Sequence, residues 1–153
     1  MNSKEILSDR NKSFESFTFQ RWSVYKKSVS LCKTILRLSP RCSKIGLPNL
    51  ADQLKRAVTS IPLNISEGYS RCTTKDKQTF LRVAQGSVYE IVSIIDILKD
   101  SNGLNIEEYA DVYTELSEIG KMISALINHL EKVGGRYRKW GFTLMLTSML
   151  TLT

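Results

Sequence analysis

The spacing of apolar and polar positions predicts helices along most of the chain. From Val24 to Leu38, the residues Val24, Tyr25, Ser28, Leu31, Cys32, Ile35 and Leu38 recur at steps of three and four, which lines one face of an α-helix. This first helix is expected to begin at Phe19 or Trp22 and to stop at Leu38, because Pro40 disfavours helical geometry in Ser39. A basic loop, Arg41 to Gly46, should follow. Leu54, Val58, Ile61 and Ile65 repeat the spacing in a second helix that starts at Pro48 or Asn49 and ends between Gly68 and Arg71. Thr74 is the expected N-cap of a third helix, whose apolar face runs from Phe80 and Leu81 through Ala84, Ser87, Val88, Ile91 and Ile95 to Leu98. Asp100-Ser101-Asn102-Gly103 reads as a turn. A fourth helix should begin near Asn105, with Glu107, Glu108 and Asp111 suited to its positive end, and close at Lys132 and Gly134-Gly135. Four helices, short links and no strand pattern predict an all-α fold, an antiparallel up-and-down four-helix bundle.

Pro62 lies inside the second helix. It lacks an N–H and crowds the carbonyl four residues back, so this helix is expected to be kinked. Thr59, Ser60, Asn64 and Ser66 surround the proline and could reach the freed backbone groups. Gly68 would permit a left-handed terminus, and Glu67 could pair with Arg56 or Arg71. Gly86-Ser87 in mid-helix costs about 1 kcal/mol relative to alanine, which close approach of another helix would explain. Glu90 and Asp96 interrupt the apolar run of the third helix, as exposed positions or as a subunit contact.

Charge divides the 153 residues unevenly. Residues 1–72 hold 13 Lys and Arg against 5 Asp and Glu, residues 73–133 hold 6 against 10, and the remainder adds Arg136, Arg138 and Lys139. The expected organisation is a polar N-terminal arm over 1–18, the bundle over 19–133, and a tail over 134–153 that is first basic and aromatic, then apolar. A basic half suits an anionic partner. If the first two helices are neighbours, Lys26, Lys27, Lys33, Arg37, Arg41, Lys44, Lys55 and Arg56 could form one patch that holds phosphates, with Arg71 further along the same helix. Tyr69, Tyr137 and Trp140 beside arginines could stack unpaired bases.

Enzymatic chemistry finds little to work with. The sequence has no phosphate-cradling glycine loop, no metal-ligand spacing and no nucleophile ordered with a base, so no catalytic residue, metal or cofactor is expected. The one histidine, His129, falls on the fourth helix. Cys32, Cys42 and Cys72 are an odd count, read as reduced thiols. Met1 to Ser13 lacks an apolar signal core, and no window approaches the roughly 20 apolar residues that cross a bilayer, so a cytoplasmic protein without membrane contact is expected.

Two runs carry a resemblance. Arg56, Ala57, Ser60, Ile61, Pro62, Asn64, Ile65, Glu67, Gly68 and Arg71 match the form R-A-x-x-S-I-P-x-N-I-x-E-G-x-x-R, and Phe80, Leu81, Ala84, Gly86 and Ser87 match F-L-x-x-A-x-G-S. Together they resemble the four-helix bundle family encoded in intervening sequences of bacterial 23S rRNA genes, with similarity from about Trp22 to Leu130. The resemblance implies a structural role for Ser60, Pro62, Asn64, Glu67, Gly68, Gly86 and Ser87. It also implies a ring-shaped homo-oligomer, a homopentamer in particular. The family is similar to the accessory variability determinant of diversity-generating retroelements. That relationship implies a non-enzymatic accessory that binds RNA or DNA and associates with a reverse transcriptase. A scaffold docking another acidic protein is the competing expectation.

Overall fold

The computed structural model describes residues 17–150, with side chains described over 17–134. The expected arm therefore lies almost wholly outside the described residues, and the side chains of the expected tail do so from residue 135 onward. A 3-10 turn at Thr18–Arg21 leads into α1, Ser23–Leu38. The order continues with the short α2 (Pro40–Lys44), then α3 (Pro48–Ser70), α4 (Thr74–Asp100) and α5 (Ile106–Leu150). Among the described residues there is no strand. The four long helices form a bundle in which α3 packs on α1 and α4, while α5 packs on α4 and α1. Their apolar stripes meet in one core that includes Leu31, Ile35, Leu54, Ile61, Ile91, Ile95, Leu116 and Ile123.

Helix ends follow local chemistry, with several differences from the sequence reading. The segment expected as a basic loop is helix α2, begun by Pro40 at its first position and anchored by the fully buried Cys42. Gly46 then takes φ +81°, which turns the chain into α3. The N-cap of α4 is Thr73 rather than Thr74. Its hydroxyl accepts the Asp76 N–H at 3.1 Å and donates to the Asp76 carboxylate at 2.6 Å. Helix α5 starts beside Asn105 as expected, and Asn105 also caps it. Its Oδ1 accepts the Glu108 N–H at 2.8 Å, and Glu108 Oε2 accepts the Asn105 N–H at 3.2 Å. Helix α5 passes Gly134 and Gly135 without stopping. Glycine weakens a helix by about 1 kcal/mol relative to alanine but does not by itself end one.

The conspicuous strain point is the proline. Helix α3 runs unbroken through Pro62, which is buried. Proline offers no N–H to Val58 O, and Val58 is fully buried, so that carbonyl needs another donor. Cys32 of α1 supplies it: its thiol donates to Val58 O at 3.3 Å. Burial pushes the Cys32 thiol above its ordinary pKa, which keeps the proton available to donate. The nearby polar side chains make other bonds. Thr59 donates to the carbonyls of Lys55 and Arg56, Ser66 to that of Leu63, and Asn64 to both oxygens of Ser60.

Two glycines play different parts from those expected. Gly68 is not a left-handed terminus, because α3 continues to Ser70 and ends at an extended Arg71. Gly68 is there for space: a Cβ would lie 3.3 Å from both Lys77 O and Phe80 Cβ, where α4 crosses closely. At Gly86–Ser87 only the serine meets another helix. Ser87 Oγ bonds Ser60 Oγ at 2.8 Å, whereas an added Cβ at Gly86 would meet nothing within 4 Å among the described atoms. One position of rotation turns Gly86 outward.

Cys32→Ala should cost about 1–2 kcal/mol in urea unfolding, because it strands the Val58 carbonyl. In a Pro62→Ala background, where residue 62 regains an N–H, the same change should cost much less. Equal costs in both backgrounds would show that the thiol only packs.

Candidate nucleic-acid interface

The positive side chains separate into groups once their partners are known. On α1, Lys26, Lys33 and Arg37 are spaced by seven and four, which places them on one stripe opposite the buried Val24, Ser28, Leu31 and Ile35. Lys27 lies off that stripe and pairs with Glu118 of α5 at 2.8 Å. Lys26 also has an interaction partner. Lys33 and Arg37 are exposed and have no ion pair among the described residues. The same holds for Lys44 on α2 and Arg56 on α3. Lys55 makes an exposed i,i+3 pair with Asp52 at 3.3 Å, worth little in water. Its charge also reaches Cys42, opposing the upward push that burial gives that thiol, so Lys55 lies beside α2.

Arg41 departs from the expected patch. Both of its terminal nitrogens bond Glu108 in a fork, at 2.5 and 2.6 Å, and Nη1 also donates to Gly103 O at 3.4 Å. The side chain thus ties α2 to the start of α5, and its charge is matched by a carboxylate. Bonding to Arg41, then the backbone bond at Asn105, holds the Glu108 carboxyl below its usual pKa. The same contact raises the Arg41 guanidinium.

Arg71 is also separated from the patch. It follows Arg56 by fifteen residues, roughly 22 Å along a helix, and it pairs with Glu67 while lying 4.6 Å above the Phe80 ring. Of the two pairings open to Glu67 in the sequence, the one with Arg71 forms. Around that end lie Phe19, Trp22, Tyr25 and Tyr69, with ring centroids 5.0–5.8 Å apart in edge-on or tilted contacts. The side chains of Tyr137 and Trp140 lie outside the described residues.

Lys33, Arg37, Lys44 and Arg56 thus remain exposed without an ion pair among the described residues. They stand on the later half of α1, on α2 and on the earlier half of α3, with Lys55 next to Arg56 and Lys26 in the first turn of α1. The sequence reading missed the acidic partners. A signal for them exists in Glu108, Asp111, Glu115 and Glu118, which step by three, four and three along one face of α5. Glu90 and Asp96 have neighbours as well: Gln53 donates to Glu90 at 2.9 Å and the Tyr109 hydroxyl to Asp96 at 2.8 Å. Among the described residues no three His, Cys, Asp or Glu side chains cluster as a metal site would require. Nor is any described helix long and apolar enough to cross a membrane.

A small all-α bundle is the class of protein these features define. Residues 20–125 match the family model of the 23S rRNA-intervening sequence protein, and the chain belongs to that family. Its fold is similar to the crystal structure of a protein of unknown function from the S23 ribosomal protein family of Bacteroides thetaiotaomicron. The two share 22% identity at a TM-score of 0.61, over 68% of this chain and 97% of that one. No curated protein matches the sequence.

Because Glu108 is depressed in the fold, its ionised form stabilises the protein above the ordinary carboxylate range, near pH 4.3. That contribution is lost as pH falls through the depressed value. Glu108→Gln should therefore lower Tm at neutral pH and flatten the fall in Tm between about pH 4.5 and 3. Wild-type and variant curves that stay parallel through that interval would show the pair to be without effect.

Proposed function

We propose that this protein is a non-enzymatic, cytoplasmic, oligomeric bundle that binds the backbone of RNA or DNA through Lys33, Arg37, Lys44 and Arg56, with Lys26 and Lys55 at the margin. The observation that carries the reading is that these four cations, on the later half of α1, on α2 and on the earlier half of α3, have no carboxylate partner among the described residues. Desolvated phosphates would supply the missing counter-charge, without sequence readout. Membership in the 23S rRNA-intervening sequence family supports an RNA partner. Arg41 and Arg71 leave the expected site, since each already has a carboxylate.

The helices run antiparallel in this reading. Arg82 pairs with Glu131, Gln85 bonds Ser124 and Asp96 bonds Tyr109, so numbers rise along α4 as they fall along α5. The assembly is a ring of identical subunits, five in number. Support comes from the outward face of α3 and α4, where Leu63 is 65% and Val83 48% exposed next to the open Gly86. A reverse transcriptase or another acidic protein would meet the same cations.

Fluorescence anisotropy with labelled RNA tests the first part. Affinity should drop by on the order of a hundredfold from 50 to 200 mM salt for about four phosphate contacts. Arg37→Glu with Arg56→Glu should abolish binding while leaving circular dichroism and Tm in place. Binding that ignores salt, or survives the double reversal, defeats the proposal. Capture of an acidic protein from nuclease-treated lysate without RNA affinity would favour the scaffold. Light scattering tests the second part: the protein should be larger than a monomer at micromolar concentration, and Leu63→Asp with Val83→Asp should reduce it to monomers.

A further inference from the structure

Beside the entry to α1, three long helices and the residue that precedes α1 surround a cavity of ≈ 190 Å³. Trp22 from the entry to α1 and Tyr69 from α3 line one side, and Leu126 and Leu130 of α5 line the other. Gly68 forms part of the wall, and its missing side chain brings α3 and α4 together there. Two polar side chains complete the lining, the ammonium of Lys77 on α4 and the imidazole of His129 on α5. Neither side chain has an ion pair or a hydrogen bond among the described residues. Trp22 and Tyr69 are already set edge to face, with centroids 5.3 Å apart, and Phe19 abuts Tyr69 at 5.8 Å. Tyr69 remains 37% exposed.

The combination is selective. An apolar cavity of about 150 Å³ takes a benzene ring, so this one has room for a single planar heterocycle. Aromatic walls favour a flat π-system. Lys77 and His129, unpaired among the described residues, offer N–H donors, one of them charged, to an anion next to that ring. A fatty-acid chain would satisfy the apolar walls and the donors but would gain nothing from the aromatic faces. From these groups we infer that the cavity is a nucleotide pocket, which takes one unpaired base against Tyr69 and Trp22 while Lys77 and His129 hold its phosphate. The inference rests on the nucleic-acid reading above and adds to it a specific seat for single-stranded segments, at the opposite end of α3 from the backbone-binding cations.

The experiment uses full-length protein carrying Trp140→Phe, so that Trp22 is the sole tryptophan. Adenosine monophosphate should quench Trp22 fluorescence saturably, adenosine more weakly, and inorganic phosphate should leave the emission unchanged. Tyr69→Ala and Lys77→Ala should each weaken nucleotide binding about tenfold, Tyr69→Phe should keep it, and Arg37→Glu with Arg56→Glu should not affect it. Absence of saturable quenching, or quenching undiminished in both Tyr69→Ala and Lys77→Ala, overturns the assignment. Stronger quenching by laurate than by the nucleotide overturns it in favour of a lipid pocket. Long-RNA binding that persists when this pocket fails leaves the cationic patch standing alone.

Discussion

A single carbonyl sets the terms for the centre of this bundle. Helix α3 packs on α1, α2 and α4, and it does so with a proline in its middle. Val58 O has no i+4 N–H to accept from, because that position is Pro62, and the fully buried residue gives it no access to water. An unpaired buried carbonyl costs about 1–3 kcal/mol, a large share of a small domain's net stability. The thiol of Cys32 removes that penalty and also fixes where α1 lies along α3. With α1 so placed, its outward stripe carries Lys33 and Arg37. The position of these two cations therefore follows from how the proline is accommodated.

Electrostatics divide the molecule along the same lines. The acidic face of α5 takes up Lys27 and Arg41, the two cations that turn toward it. The cations left over are those whose helices present them away from α5. The four exposed cations that keep no ion pair among the described residues thus belong to α1, α2 and α3. Cations grouped on a surface raise the local potential and speed encounter with a polyanion.

Much of the architecture could be read from the chain. The three-and-four spacing of Leu54, Val58, Ile61 and Ile65 placed a core helix there, and all four residues are fully buried. The start of the fourth helix near Asn105 was legible, whereas the capping box that Asn105 forms with Glu108 emerged only from the structure. The misread positions share a cause, which is that their partners are distant in sequence. Arg41 looked like part of a basic loop because Glu108 lies 67 residues away. Gly68 and Gly86 look alike in a sequence, yet one faces α4 at contact distance and the other faces outward. The cation patch was partly legible for the same reason: spacing fixes which residues share a helix face, but only tertiary packing decides which of them meet a carboxylate. The residues around Tyr69 were harder still to group, since Tyr69, Lys77 and His129 come from three helices and Trp22 from the connection before α1.

The three thiols occupy graded depths. Cys72 is exposed just past the end of α3, Cys32 is half-covered with its proton directed at a carbonyl, and Cys42 is sealed on the inner face of α2. A thiol reagent would therefore meet them in sequence: Cys72 at once, Cys32 when the first helix lifts, Cys42 when the connecting helix comes away. The molecule thus carries its own clock for the order in which its layers separate, with no foreign probe introduced.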